Sequence, residues 1–427
     1  MSADVARVAT TGGRLPAWRD PVAWAKTTDI IAVLIALSLP WSTSLVGIFA
    51  AVFLVTIAPT LDFRAFLPSL KRPICALPIA LFALALVGTL WSDAPWGART
   101  YALGPTAKLL VLPLLLYHFE RSTRGMWVFA AFLVSCVLLM VMSWLVVLYP
   151  GLSLTRDGVE RGIFVKNYID QSQEFALCAV ALAYPVVTLL RRGKNALAAL
   201  LIAIALSFFV NMAFAIVSRT ALVTVPVMLA IFALLHLQWR SIVLIVCAAA
   251  VFAVVAWQAS PQLRRTAETF SSDYQRYKEQ NLATSIGLRL EFWQKSLRFF
   301  AEAPVIGHGT GSTRGLFEQA ASGSAETATA QVIGNPHNQT LNIAVQWGIT
   351  GVVVLYAMWL MHLLLFRHDG LANWVGLLVV VQNVFTSLFN SHIFDFHEGW
   401  MYVLGVGVAG GMALKAKSAE QPDAVRP

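Results

Sequence analysis

Residues 28–258 and 337–414 form an almost continuous succession of apolar runs, and this limits the fold more than any other feature of the chain. A run of about 20 apolar residues crosses a bilayer as a helix, because backbone N–H and C=O groups must be satisfied within their own segment where no water is available. Charge and turn clusters divide the runs into twelve. Four lie near 28–40, 43–59, 74–91 and 103–119; five near 125–149, 170–190, 195–217, 219–237 and 240–258; three near 337–366, 371–391 and 397–414. The first two are short and share the Pro40-Trp41 break, so a hairpin suits them. The expected fold class is an all-α polytopic membrane protein of about 12 transmembrane helices. Composition excludes the alternative of a soluble domain: only 12% of residues are charged and the mean hydropathy is +0.69, whereas a water-facing surface takes about 25%.

The charges that remain set an orientation. Residues 1–27 carry mixed charges (Asp4, Arg7, Arg14, Arg19, Asp20, Lys26), and no small-residue cleavage site follows. They are read as a cytoplasmic tail before a retained first helix. With both termini inside, most lysines and arginines fall on cytoplasmic loops, among them Arg64, Lys71, Arg72, Arg121, Arg124, Arg191, Arg192 and Lys194. Few lie on the short outer loops and their borders: Arg99, Lys108, Arg156, Arg161, Lys166 and Arg219. That asymmetry follows the positive-inside rule, so the net charge of +9 is an orientation signal and no argument for nucleic acid. The chain then divides into a tail at 1–27, helices one to nine at 28–258, a large outer loop at 259–336, helices ten to twelve at 337–414 and a cytoplasmic tail at 415–427. Cys75, Cys136, Cys178 and Cys247 all sit inside apolar runs as small hydrophobes, with no disulfide framework or CxxC pair.

The large loop is the one sizeable piece outside the bilayer. Residues 262–280 are polar and suit a helix; 287–303 place Leu288, Phe292, Trp293, Leu297 and Phe300 near helical spacing, with Pro304 as a stop. A helix with an aromatic stripe and basic flanks tends to lie in the headgroup layer, so two helices are expected over the mouth of the bundle. The Ala/Ser/Gly/Thr stretch at 320–334 suits a mobile flap or a plain linker. Arg161, Arg219, Arg265 and Arg289 stand at outer or membrane-depth positions, where a charge is costly unless it pairs or meets a ligand. Arginine matches phosphate through two parallel hydrogen bonds; each could instead pair with Asp157, Glu160, Glu268 or Glu291, close in sequence. His337, in Asn335-Pro336-His337-Asn338, stands where the polar loop meets a long apolar run. An imidazole there can take a proton near pH 7, or serve only as an interfacial hydrogen-bonding group.

Some motifs carry no such chemistry. Gly307-His308-Gly309-Thr310-Gly311 lacks the Lys-Ser/Thr and preceding strand of a phosphate loop and is read as a tight turn. His392 and His397-Glu398 miss the i,i+4 spacing of a zinc helix. The outer side has no Asp-x-Asp pair of the kind that holds a metal for a nucleotide sugar.

Taken in order, several motifs resemble the O-antigen ligase and polymerase superfamily of bacterial surface-polysaccharide assembly, over about residues 88–351. Trp91-Ser92-Asp93 is similar to its early motif, Arg161-Gly162 with Asn167 to its outer-loop arginine motif, and Ser218-Arg219 to its mid-bundle Ser-Arg. Ser285-Ile-Gly287-Leu-Arg289 with Trp293, then Pro304-x-x-Gly307-x-Gly309-x-Gly311, resembles the signature of its large loop. His337-Asn338 and, after nine intervening residues, Gly348-Ile-Thr-Gly351 resemble its ligase histidine motif.

The resemblance implies a GT-C-like glycosyltransferase of the inner membrane with a periplasmic active site. Its donor would be O-polysaccharide on undecaprenyl diphosphate and its acceptor a sugar hydroxyl of the lipid A–core, within membrane lipid. The donor carries its own leaving group, so no cofactor and no metal are implied. Arg289 and Arg161 would hold the diphosphate, with Arg219 and Arg265 behind them, Arg265 by position alone. His337 would be the base, and Lys166 and Asn338 supporting groups. The nearest rivals are an O-antigen polymerase, which elongates a growing glycan, and a protein O-oligosaccharyltransferase, which usually has a longer C-terminal region. A polytopic transporter, from another class, would call for an internal repeat and midplane charges; the sequence has no evident repeat, and its charges gather at the outer edge.

Overall fold

The computed structural model describes residues 20–155, 162–216 and 218–420. Its first helices are α1 (Pro21–Ser38), α2 (Thr43–Ile57), α3 (Phe63–Ser69), α4 (Pro73–Val87), α5 (Trp96–Ala107), α6 (Val111–Arg121), α7 (Gly125–Leu148), α8 (Tyr168–Ala181) and α9 (Ala183–Arg191). Next come α10 (Asn195–Phe214), α11 (Arg219–His236) and α12 (Trp239–Ala259). The large loop holds α13 (Pro261–Gln280), α14 (Ser285–Glu302) and α15 (Thr313–Gln319); α16 (Gln339–Leu365), α17 (Leu371–Thr386) and α18 (Phe396–Glu420) complete the bundle. Among the described residues the only β-pairing is an isolated bridge between Leu282 and Thr327. The protein is an all-α polytopic membrane protein.

Each of the expected apolar runs coincides with helix, but the helices are less uniform than the runs. Among the described residues, eight are long and apolar enough to cross a bilayer, or nine if α3 and α4, bent by 78°, count as one span. The apolar lengths Val223–His236 and Leu371–Thr386 are shorter. Proline explains several interruptions, since it removes a backbone donor and crowds the preceding turn. Pro105 precedes a 3-10 turn at Lys108–Leu110 that joins α5 to α6 within one span, Trp96–Arg121.

Small residues and a few buried polar ties hold the bundle together. On α18, Gly407, Gly410 and Gly411 lie against Leu115, Leu116 and Phe119 of α6; a Cβ on any of them would come within 2.7 Å of these side chains. Close helix approach of this kind drives association where lipid removes the hydrophobic contrast. Asp29, 2% exposed, draws α1 to α6 and to the start of α7: it accepts from Ser122 Oγ at 2.7 Å and Arg124 at 3.1 Å, and lies 2.8 Å from His118 Nε2. The expected hairpin forms too, as α1 and α2 pack together across the Pro40-Trp41 turn.

The large loop builds a small second core. Asn281, in the left-handed region at φ 51°, ends α13, and the Thr284 hydroxyl caps α14. Tyr277 donates to Glu291 at 3.2 Å, and Gly287 gives the Tyr277 ring room that a Cβ would fill at 2.6 Å. Phe292 and Phe299 of α14 pack with Phe317 of α15 and Val345 of α16. Part of the aromatic stripe expected to face headgroups therefore faces protein, because α15 and α16 offer it a drier surface. The 320–334 stretch is laced to the α13–α14 turn: Ala283 N–H donates to Glu326, Ala328 N–H to Asn281 and Lys295 Nζ to Thr329 O.

The glycine-rich segment is a tight turn, with Gly307, Gly309 and Gly311 all at positive φ. Its role is to repair a break in α16. At Gly348 (φ 61°, ψ −156°) the helix interrupts its own ladder. The Val345 and Gln346 carbonyls accept instead from His308 and Gly309 N–H at 2.9 and 2.8 Å, and Ile349 N–H donates to Pro304 O at 2.8 Å. The far side of the turn bonds to Gly88 O through Thr310 N–H.

Candidate functional site

His337 sits at the junction of the large loop and α16. Pro336 disfavours helical backbone at Asn335, and His337 takes up the left-handed region at φ 52°, rare for a residue with a side chain. Its N–H donates to Asn335 Oδ1 at 3.0 Å, which also accepts from Ser391 Oγ at 2.7 Å. Strain of this kind persists only where surrounding contacts over-determine it. Here they do: Asn338 caps α16 through Leu341 N–H at 3.0 Å and donates to Leu388 O, Gln339 N–H bonds Ser387 O, and Ile393 N–H bonds Gln339 Oε1. The 387–395 segment before α18 is thereby stitched to the start of α16.

That stitching places Asn390 beside the imidazole. His337 Nδ1 lies 2.9 Å from Asn390 Oδ1, and Asn390 Nδ2 donates to Asp395 Oδ2 at 2.6 Å. Phe292 stacks obliquely near the ring, with centroids 6.2 Å apart. Burial lowers the His337 pKa from its ordinary value; the Asn390 hydrogen bond opposes that, and the positive charges of Arg289 and His392 add to it. Arg289, half-buried on α14, is thus one of the charges that act on His337.

The other sequence candidates are placed differently. Arg161 lies outside the described residues. Arg219 is the first residue of α11, just after buried Ser218, and its side chain is likewise outside the description. Arg265 is on the exposed surface of α13. Lys166, left-handed at φ 66°, is mostly buried and donates to the Leu39 carbonyl. Burial lowers its pKa against the opposing charges of Glu174, Asp170 and Glu398. Asn338 is occupied as a helix cap.

Residues that sequence reading passed over complete the site. Asn390 and Asp395 belong to a stretch, Phe389-Asn390-Ser391-His392-Ile393-Phe394-Asp395, whose density of polar groups between two apolar runs was the available signal. Beyond them, His392 Nδ1 lies 3.4 Å from Asp395 and 3.5 Å from Glu398, while His397 turns to Asp170 on α8 at 2.6 Å. The donor atoms of His392, Asp395 and Glu398 fall within 4.8 Å of one another, the one grouping among the described residues with the chemistry to hold a cation. Lys108 donates to the carbonyls of Phe394 and Asp395.

A family model described as O-antigen ligase matches residues 202–356. Over that stretch, a little over a third of its length, the chain is similar to the O-antigen ligase family. The matched stretch contains Arg219, Arg265, Arg289, the glycine turn, His337 and Gly348, so the repaired break in α16 and the histidine beside it lie within the family's shared region. An uncharacterized protein of Haemophilus influenzae is 25% identical over 189 residues, 42% of this chain; the chain spans about half of that curated relative's length, 46%.

Proposed function

We propose that this protein is an O-antigen ligase: it transfers O-polysaccharide from undecaprenyl diphosphate to a sugar hydroxyl of the lipid A–core at the periplasmic face of the inner membrane. The reading rests on one arrangement, an imidazole with one nitrogen engaged by Asn390 and the charge of Arg289 bearing on it. His337 removes the acceptor hydroxyl proton through its other nitrogen as that oxygen attacks the anomeric carbon. The bond to the diphosphate breaks with its electron pair on the leaving oxygen, where Arg289 and Arg161, with Arg219 and Arg265 behind them, stabilise the developing charge. Attack opposite the diphosphate inverts the anomeric carbon. Cationic side chains supply the charge stabilisation that a divalent ion supplies in other transferases.

A deletion strain complemented with wild type or His337→Ala tests this through its lipopolysaccharide. The ligase reading expects the polymer to vanish from lipid A–core while long lipid-linked polymer accumulates, in the deletion and in His337→Ala alike. A single repeat unit left on the core would mean a polymerase. Unchanged glycans with altered solute uptake would mean a transporter.

A further inference from the structure

We infer that Asn390, held by Asp395, is a positioning residue that decides which nitrogen of His337 is basic. The inference rests on the ligase reading, and on His337 as its base. A neutral imidazole carries one proton, and the partner of the other nitrogen selects where it sits. The partner here is an amide, which can present either an oxygen or an NH₂ group. Asn390 has its NH₂ committed: it donates to Asp395 Oδ2 at 2.6 Å, and once ionised, above a pKa that burial and Glu398 push up to about 7, that carboxylate offers the amide an acceptor only. The amide oxygen therefore faces His337 Nδ1 at 2.9 Å, and Asn335 Nδ2 donates to the same oxygen at 3.4 Å. Nδ1 carries the proton, and Nε2 keeps the lone pair that accepts from the sugar hydroxyl.

With the amide reversed, its NH₂ would donate to Nδ1, move the proton to Nε2 and abolish the base. The device also serves after transfer, since the imidazolium Nδ1–H still donates to the Asn390 oxygen while Nε2 gives the captured proton to water. Asp395 is itself fixed. Its N–H donates to Ser391 O at 3.0 Å, Lys108 grips its carbonyl, and Ile393 two residues before it is tied to Gln339.

The test uses the full chain in lipid nanodiscs, with undecaprenyl-diphosphate-linked O-polysaccharide and lipid A–core. Asn390→Leu, which keeps bulk but no acceptor, should lower kcat by about 100-fold or more, the scale of general-base catalysis, with KM for both substrates unchanged. Asp395→Asn should lose a smaller factor than Asn390→Leu, because two amides have no obligatory order and only part of the population keeps the productive one. The exchange Asn390→Asp/Asp395→Asn restores the donor–acceptor order and should recover activity to within about 10-fold of wild type, a margin small beside that catalytic factor. A folded Asn390→Leu protein with wild-type kcat would overturn the inference, as would an exchange variant no better than Asp395→Asn at equal melting temperature. Nitrogen-15 NMR of wild type, assigned by difference against His337→Ala, gives a reading independent of variant folding: a protonated Nδ1 is expected, and a protonated Nε2 overturns the proposal. If His337→Ala is inactive while the 390 and 395 variants behave as wild type, the positioning role alone falls. Activity in His337→Ala removes the base itself.

Discussion

At the scale of single residues, the ionisation of His337 is the property most open to measurement. Burial, Arg289 and His392 favour the neutral imidazole, against the Asn390 hydrogen bond, and the net direction is down. A base with a lowered pKa stays unprotonated to more acidic pH, so activity should persist below the range of an ordinary histidine and fall only as pH drops through the lowered value. Arg289→Gln removes one positive charge from the ring's surroundings. It should therefore raise the His337 pKa and move the acid limb of kcat/KM to higher pH. It should also cost about 10²–10³-fold in rate at the plateau, the usual effect of removing one donor to a developing anion. A pH–rate profile of the two proteins separates these effects. A limb that stays in place or moves to lower pH would dissociate Arg289 from His337. The sequence carried the outline of this pair but not its partner: His337 and Arg289 stand out as polar groups beside apolar runs, whereas Asn390 lies 53 residues beyond His337 in a loop that local pattern could not join to it.

At the scale of elements, the turn at 304–311 and the break in α16 form one unit. The glycines were legible as a turn, since positive φ without strain is open to glycine alone. Their partner was not, because a backbone N–H or C=O leaves no mark in the sequence of the segment it bonds. The aromatic stripe of α14 gave a similar half-answer: its spacing specified a helix with one apolar face, but spacing is the same whether lipid or Phe317 covers that face. Gly348→Ala would place a Cβ 2.4 Å from the Val305 carbonyl carbon at φ 61°, and Gly309→Ala one 2.6 Å from Ser92 Cα at φ 87°. Each backbone strain costs about 1–3 kcal/mol before the steric clash is added. Gly315 lies within α15, and a Cβ there meets nothing within 4 Å. Size-exclusion profiles after a heat ramp should show Gly348→Ala and Gly309→Ala melting several degrees below wild type and Gly315→Ala melting with it. Equal melting of all three would mean that the turn is not what closes the break.

For the molecule as a whole, the bilayer wrote its requirement directly into hydropathy, so the runs of helix were readable. Polar groups buried inside were not, because one ionisable residue hardly changes the mean of an apolar window. Asp29 sits within the first run, and Glu174 is 0% exposed one and a half turns into α8, deeper than the outer edge where the charges were expected to gather. His392 and Glu398 bear most on the proposed site, since they converge on Asp395, the partner of Asn390. A metal ligand must offer a neutral imidazole. Burial pulls the His392 pKa down, but Glu398 and Asp395 outweigh it and hold the ring above its ordinary value. A ring held toward its protonated form beside two acidic side chains competes with a divalent ion for that place, and in the proposed reaction arginines meet the donor's phosphates. Transfer in nanodiscs should then run at an unchanged rate after treatment with EDTA and removal of the chelator. A rate abolished by that treatment and restored by one divalent ion would give the three residues to a metal, and with it the neutralisation of the leaving diphosphate now ascribed to Arg289 and its neighbours.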